Sequence, residues 1–306
     1  MESSKNSVIT IDCHYLRPRF AAAYLLIEKG RATFIENNTA HAVLYLLKAL
    51  KDKDLTPESV DYLIVTHAHL DHAGGTSVLL EKCKNAKILA HPKAARTLIN
   101  PERLIQSAQK VYGESNFRKL YGEISPIPED RIHAVQDGEE IIFGERTLTF
   151  LYTLGHATHH VCIHDSKSQG VFTGDALGLC YPDLQNKGLF ILPSTSPIDY
   201  NPIEARKTVD IIFKTQPKQL FFTHFGTVTE ISKAKKIFLE NLEVHEKLFR
   251  WAKEHLDLGP ELPKRIEEKL KEIYSPYADF LKLDLEINAQ GLVFVASRQG
   301  PFTHPQ

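Results

Sequence analysis

The sequence has little cysteine, tryptophan or methionine, no long hydrophobic run and no excess of charge of one sign. Its 306 residues include four cysteines, one tryptophan and one methionine, and 37 basic side chains stand against 38 acidic ones. The longest wholly apolar run has eight residues, at 20–27. A membrane-spanning helix needs roughly 18 or more, and near-neutral charge argues against a nucleic-acid-binding surface spread over the molecule. We therefore expect neither a membrane nor a nucleic acid among its partners.

The few cysteines also bear on the compartment. Cys13, Cys83, Cys162 and Cys180 show no C-x-x-C spacing, which argues against a disulfide scaffold and is typical of reduced thiols in a cytoplasmic protein. The first residues, MESSKNSVITIDC, lack the basic start and apolar stretch of a secretory leader. We therefore expect a cytoplasmic protein, and the 42% of hydrophobic residues predicts a sizeable core.

Hydrophobic periodicity predicts short strands that alternate with helices. Strand signals lie at 7–13, 21–28, 31–37, 62–66, 87–90, 140–154, 161–173 and 219–223. Helical signals lie at 39–53, 75–82 and 202–215. Mixed elements of this kind predict a layered α/β or α+β fold.

Two segments depart from the alternation. Residues 92–130 carry helical signals and loop prolines, and we interpret them as an insertion that covers one face. From residue 230 onwards the chain is charged and helical, at 230–256 and at 263–274. The apolar run at 291–297 predicts a last strand.

One short segment concentrates metal-competent side chains. In THAHLDH, residues 66–72, His67, His69, Asp71 and His72 follow directly after an apolar strand. In extended backbone His67 and His69 share one side, and a following turn brings Asp71 and His72 to a neighbouring point. Imidazole nitrogen and carboxylate oxygen are ligands of zinc, iron or manganese. The segment therefore predicts ligands for two adjacent metals.

Three further strand ends each offer one such side chain. His156, Asp175 and His224 follow apolar strands in the motifs GH, TGD and THFG. Strand ends are rigid points from which catalytic groups are commonly presented. Together with the first segment, they predict a single site assembled from distant parts of the chain.

This set of motifs resembles that of the metallo-β-lactamase superfamily. The matching segments are THAHLDHAGG at 66–75, LGHATHH at 154–160, FTGDA at 172–176 and THFG at 223–226. Leu154 replaces a proline that is frequent in the family, and His159 replaces a glycine. The resemblance covers nearly all of residues 7–230 and implies a four-layer αβ/βα sandwich with metals at one edge of two facing sheets. It further implies a catalytic domain at 1–230, with 231–306 adding helices and a final strand packed on the same domain.

The resemblance also implies ligands for two divalent ions, with zinc expected and iron or manganese as alternatives. His67, His69 and His156 would hold the first ion, Asp71, His72 and His224 the second, and Asp175 would bridge them. A metal-bridging hydroxide would attack an ester-like bond in a thioester, lactone or phosphoester. Asp71 would be the catalytic residue that orients the nucleophile and carries a proton, and His160 would have an outer, packing role.

The sequence leaves other functions open. A mononuclear iron dioxygenase acting on persulfides, from the same superfamily, would use His67, His156 and Asp175 as a two-histidine, one-carboxylate triad. A non-catalytic binding protein is disfavoured, because a complete ligand set has no evident structural purpose. We expect a small-molecule substrate, and a homo-oligomer is left open.

Overall fold

Twelve strands form two six-stranded sheets within residues 8–195 and 198–298, the part of the chain that the computed structural model describes. The first sheet contains β1 (Ile9–Asp12), β2 (Ala22–Glu28), β3 (Arg31–Ile35), β4 (Val60–Ile64), β5 (Lys87–Ala90) and β6 (Ile132–Ala134), in that spatial order. The second contains β7 (Glu140–Phe143), β8 (Arg146–Tyr152), β9 (Val161–Asp165), β10 (Gly170–Gly174), β11 (Gln219–Phe222) and β12 (Gly226–Val228), also in spatial order.

Both sheets are mixed. In the first, β1, β2 and β3 are antiparallel, whereas β3 to β6 run parallel. In the second, β10 and β11 are parallel and the other neighbouring pairs are antiparallel. As a result β8, β10 and β11 of the second sheet run in the same direction. The segment after β4 of the first sheet lies beside them, because Val161 N–H donates to the Thr66 carbonyl. The four strands that precede the predicted ligands therefore end at one edge of the two sheets.

Helices connect the strands and cover both outer faces. Those in the first half are α1 (Val43–Lys51), α2 (Leu70–Ala73), α3 (Thr76–Lys82), α4 (Pro92–Ile99), α5 (Glu102–Tyr112) and α6 (Glu114–Tyr121). Those in the second half are α7 (Pro202–Lys214), α8 (Ile231–Glu254), α9 (Leu262–Ile273) and α10 (Lys282–Arg298). Among the described residues, no helix is both long enough and apolar enough to span a membrane.

Burial divides the molecule into four layers, as the sequence predicts. Side chains alternate along β2, so that Ala22, Tyr24 and Leu26 join the core between the sheets, whereas Ala23 and Leu25 face the helices. The core outside the first sheet is shared with α1, α3 and α4. The core outside the second sheet is shared with α7, α8, α9 and α10. The α/β sandwich follows from this two-sided burial of each sheet.

The predicted insertion at 92–130 forms α4, α5 and α6. In α4, Ala94, Ala95 and Leu98 join the core outside the first sheet. In α6, Phe117 and Tyr121 pack on Leu70, the first residue of α2 and a neighbour of the predicted ligands. The segment therefore covers the site edge of the first sheet.

The strand predicted at 291–297 is wrong, because these residues belong to α10. Val, Phe and Ala in a short apolar run suit a buried strand and a buried helix equally well. Packing decides for the helix, since Leu285, Ala289, Leu292 and Ala296 are buried at helical spacing against α8 and α9. Residues 1–7 and 299–306 lie outside the described residues. The first range includes the first residue of the strand predicted at 7–13 and part of the N-terminal stretch that lacks the features of a secretory leader.

Candidate metal centre

The predicted ligands lie where the two sheets meet at one edge. Two backbone hydrogen bonds join the sheets there: Ala22 N–H donates to the Thr223 carbonyl at 2.8 Å, and Val161 N–H donates to the Thr66 carbonyl at 2.8 Å. The Tyr24 hydroxyl adds a bond to the Phe222 carbonyl at 2.5 Å. The loops that follow the strands are therefore held at short distance from one another.

Three histidines form the first group of potential metal ligands. His67 Nε2 and His69 Nδ1 lie 2.9 Å apart, and His156 Nε2 lies 3.1 Å from the same His69 atom. Two of these side chains come from the loop after β4 and the third from the loop after β8. The three nitrogens are close enough for one ion to contact all of them.

A second group contains Asp71, His72 and His224. Asp71 Oδ2 lies 3.4 Å from His224 Nε2 and 3.8 Å from His72 Nε2. Asp71 and His72 belong to the short helix α2, which turns the chain away from His67 and His69. His224 follows β11 from the other sheet, so this group also joins both halves of the molecule.

Asp175 lies between the two groups and turns one carboxylate oxygen to each. Its Oδ2 is 3.6 Å from His156 Nε2, in the first group. Its Oδ1 is 3.4 Å from His72 Nε2 and 3.6 Å from His224 Nε2, in the second. Both His72 Nε2 and Asp175 Oδ1 are buried, and neither makes a hydrogen bond within the described part of the chain. Buried polar atoms of this kind are costly unless another group satisfies them, and a cation at the second group would do so.

Outer hydrogen bonds fix which ring nitrogen faces the site. His156 Nδ1 donates to the Ser194 carbonyl at 3.1 Å, and His224 Nδ1 donates to the Phe20 carbonyl at 2.9 Å. His67 Nδ1 lies 3.0 Å from the Thr66 hydroxyl oxygen. These contacts keep the proton on Nδ1 and leave the Nε2 lone pair pointing inward, as metal-binding histidines require.

Glu36, which the sequence reasoning missed, supports several of these residues at once. Its Oε1 accepts from His72 Nδ1 at 2.8 Å, from the Thr66 hydroxyl at 2.5 Å and from the Thr223 hydroxyl at 3.1 Å. Glu36 directly follows β3 and is 1% exposed. The available signal was its position, a carboxylate at the end of an apolar strand like the other ligand-bearing positions. Its contacts on both sheets could not be predicted.

The charges of the two groups differ. Burial lowers the pKa values of His67 and His69 well below the usual range, so both are neutral donors. Burial by itself would lower the pKa of His72, but the nearby carboxylates, above all Glu36 and Asp175, raise it well above normal. Burial alone would raise the pKa of Asp175, yet His72 and the other nearby histidines hold it well below the usual range. The carboxylates around His72 therefore create a negative electrostatic potential at the second group, and this potential favours a cation there.

The two other histidines of the LGHATHH motif lie behind the first group. His160 Nδ1 lies 2.8 Å from the Thr153 hydroxyl oxygen, and its Nε2 accepts from Asp175 N–H at 3.2 Å. His159 Nδ1 accepts from Ala68 N–H at 3.3 Å. Its side chain is only 14% exposed. His160 thus has the outer position expected from the sequence, and His159 braces the backbone of the His67 loop rather than lying free on the surface.

The structure brings all seven predicted ligands to one place. His67, His69, Asp71, His72, His156, Asp175 and His224 surround a single small region, and their donor atoms are imidazole nitrogens and carboxylate oxygens. This donor set suits zinc and other divalent first-row metals. The ligand roles themselves, and the catalytic role of Asp71, stay predictions.

Comparison with known proteins identifies relatives for this arrangement. A sequence model of the Metallo-beta-lactamase superfamily matches residues 33–244. A metallo-beta-lactamase fold-containing protein of Sulfurisphaera tokodaii is 28% identical over 217 residues, or 69% of this chain and 75% of the relative. The hydroxyacylglutathione hydrolase of Pelagibacter ubique is 27% identical over 157 residues, or 51% of this chain and 50% of the relative.

A solved structure has the same fold. An archaeal metallo-beta-lactamase superfamily protein from Sulfolobus tokodaii matches with a TM-score of 0.67 at 23% sequence identity. The match covers 94% of this chain and 98% of that one. At this level of identity the likeness extends to the fold alone.

Proposed function

The chain belongs to the metallo-beta-lactamase superfamily, and from this premise we propose that it is a hydrolase that holds two divalent ions, with zinc expected and iron or manganese as alternatives. Its substrate would be a small molecule with an ester-like bond: a thioester, a lactone or a phosphoester. We propose His67, His69 and His156 for the first ion, Asp71, His72 and His224 for the second, and Asp175 as the bridge.

One observation carries the proposal of two ions rather than one. The two oxygens of Asp175 face different groups, and Oδ1 lies with His72 Nε2 in a buried position where neither has a hydrogen bond among the described residues. With a single ion at the first group, both atoms would stay unsatisfied, at a cost of about 1–3 kcal/mol each. A second ion at Asp71, His72 and His224 removes this cost.

The chemistry of this centre divides between the ions and the chain. Two divalent ions held here would lower the pKa of a shared water toward 7 and stabilise negative charge on the attacked carbonyl or phosphoryl group. We assign to Asp71 the orientation of that water and the acceptance of its proton. Asp71 is the most exposed of the nearby carboxylates, at 29% against 7% for Asp175 and 1% for Glu36. It is therefore the one best placed to exchange a proton with solvent.

A thioester is the substrate class to test first. The relative from Pelagibacter ubique is named a hydroxyacylglutathione hydrolase, and a hydroxyacylglutathione is a thioester. The chain spans half of that relative's length, so this choice concerns the reaction and leaves the acyl group and the thiol open.

Metal analysis and substrate assays test the function. Protein purified without added metal is expected to contain about two divalent ions per chain and to hydrolyse at least one member of a panel of glutathione thioesters, lactones and phosphodiesters. Chelation should abolish the activity, and added zinc should restore it. One iron per chain, with oxygen consumption on a persulfide and no hydrolysis of the panel, would overturn the proposal in favour of the dioxygenase.

Single substitutions test the two groups separately. His69→Ala and His72→Ala are each expected to reduce hydrolysis by more than about 100-fold, beyond the usual effect of losing an outer partner, and to lower the metal content. His133→Ala is the matched control, because this histidine is 47% exposed and pairs with Glu139 away from the centre. Full hydrolytic rate and full metal content in His69→Ala would refute the first group as a metal site.

A further inference from the structure

The segment at 193–195 contacts the metal centre through Ser194. The Ser194 carbonyl accepts from His156 Nδ1 at 3.1 Å, and the Ser194 hydroxyl donates to Asp175 Oδ2 at 3.3 Å. One residue therefore orients a candidate ligand of the first ion and the candidate bridge. Because such outer contacts set ring orientation and ligand basicity, the position of Ser194 bears directly on the geometry of the centre.

The side-chain amide of Asn288, in α10, holds this segment on both sides of Ser194. Asn288 Nδ2 donates to the Pro193 carbonyl at 2.8 Å, and Oδ1 accepts from Thr195 N–H at 2.8 Å and from the Thr195 hydroxyl at 3.1 Å. The second Nδ2 proton faces His245 Nε2 at 3.4 Å. All four hydrogen-bonding positions of the amide thus have a partner, and the Thr195 hydroxyl is shared between Oδ1 and the Asn288 backbone carbonyl, which lies 3.0 Å away.

An asparagine is an unusual choice for this position if packing is its only purpose. Asn288 is 2% exposed, and its neighbours Leu285, Ala289 and Leu292 are buried and apolar. A buried amide gains little over a well-packed apolar side chain in stability. Its distinctive property is direction, because four bonds to fixed partners allow only one placement of the segment that it holds.

A second contact from α10 reaches the other group. Asp284 lies four residues before Asn288, on the same face of the helix, and accepts from the Tyr181 hydroxyl at 3.1 Å. The Tyr181 ring packs edge-on against His224, with centroids 6.2 Å apart. One face of α10 is therefore connected to both groups of the centre.

We propose that Asn288 is a positioning residue of the metal centre, which acts through Ser194 on His156 and Asp175. The inference rests on the proposed metal centre, but not on the reaction that the centre performs. It gives the C-terminal helix a role in metal binding, although α10 supplies none of the seven proposed ligands.

Cobalt(II) binding by the full chain separates positioning from simple stability. We expect Asn288→Ala to weaken cobalt(II) affinity about 10-fold, at the lower end of the effect of losing an outer partner, and to change the visible spectrum of the bound ion. Leu292→Ala is the matched control, because Leu292 is fully buried one turn further along α10 and its side chain has no hydrogen-bonding group. Leu292→Ala should lower the thermal stability at least as much as Asn288→Ala does, but leave the cobalt(II) affinity and the spectrum of the bound ion unchanged.

A milder variant keeps the test decisive if Asn288→Ala does not fold. Thr195→Val keeps the shape of the side chain and removes the hydroxyl, which contacts both the Asn288 backbone carbonyl at 3.0 Å and Asn288 Oδ1 at 3.1 Å. It should therefore weaken cobalt(II) binding in the same direction as Asn288→Ala, but less. If Asn288→Ala folds, or Thr195→Val in its place, and binds cobalt(II) with wild-type affinity and spectrum, the inference is overturned while the proposed function stays intact. Failure of the wild-type chain to bind cobalt(II) would instead refute the metal centre and the inference together.

Discussion

At the scale of single residues, the centre depends on side chains that do not themselves face the proposed ions. Glu36 receives hydrogen bonds from His72 in α2, from Thr66 after β4 and from Thr223 after β11. A carboxylate makes hydrogen bonds about twice as strong as a neutral acceptor does. Its charge therefore holds together the segment that follows β4, including α2, and the segment that follows β11, and it increases the basicity of the His72 ring.

Replacing Glu36 with glutamine should weaken metal binding while the fold is kept. The amide is almost the same size but lacks the charge, so we expect zinc affinity to fall about 10- to 100-fold. Competition with a chromophoric chelator measures this. Glu81→Gln, at an exposed carboxylate in α3, is the control and should bind zinc like the wild type. Equal affinity in both variants would contradict the role given to Glu36.

At the scale of elements, α10 shows how packing overrides local sequence preference. Its segment at 291–297 has the composition of a buried strand, yet the core formed by α8 and α9 accepts it as a helix. The same helix begins at Lys282, so Asp284 and Asn288 share one face and reach Tyr181 and the 193–195 segment.

The contact between α10 and Tyr181 predicts a dependence of stability on pH. Burial raises the pKa of Asp284 to about 6, although Tyr181, His224 and Arg17 act in the opposite direction. The folded chain then binds more protons than the unfolded chain between about pH 4 and pH 6, so the free energy of unfolding falls as pH rises through this range. Asp284→Asn removes the charge and keeps an acceptor for Tyr181. In metal-free protein this substitution should raise the free energy of unfolding by about 1–2 kcal/mol at pH 7.5 and by much less at pH 4.5.

Urea unfolding at the two pH values measures this difference. Asp279→Asn, at an exposed position just before α10, is the control and should change stability little at either pH. The same gain at pH 4.5 and at pH 7.5 would show that ionisation of Asp284 is not the cause.

At the scale of the whole molecule, the two sheets are joined at both ends. Opposite the metal edge, Arg146 at the start of β8 donates to Glu28 Oε1, at the end of β2, at 2.8 Å, and also donates to Asp165 at the end of β9. Lys167 Nζ adds two bonds to Glu28, at 2.8 and 3.0 Å. Burial would raise the pKa of Glu28, but Lys167 and Arg146 lower it. A charged cluster therefore closes the end of the sandwich that carries no candidate ligand.

Arg146→Leu should destabilise the fold by about 3–5 kcal/mol, because it leaves buried carboxylates without their main partner. Metal affinity of the folded variant should not change, since β2, seven residues or about 20 Å long, separates this cluster from the centre. Urea unfolding and zinc titration measure the two effects. Arg206→Leu breaks the more exposed pair with Glu246 and should cost less than about 1 kcal/mol. A loss of stability as small as this in Arg146→Leu would refute the stabilising role of the charged cluster.

The sequence by itself determined the α/β layers and the seven candidate ligands. Apolar strands reveal themselves by local periodicity, and each candidate ligand lies in a segment that follows such a strand. Both signals are local, so they can be read without knowing which segments meet in space.

Only the tertiary structure decided the helical state of 291–297 and the connections made by Glu36, Ser194 and Asn288. A short apolar run suits either a helix or a strand until its neighbours are present. A glutamate, serine or asparagine acquires its role from partners that lie far away in the chain: Asn288 and Pro193 are 95 positions apart, and Glu36 and Thr223 are 187 apart. Those partners are determined by the packing of sheets and helices, and the local hydrophobic pattern of the sequence does not encode this packing.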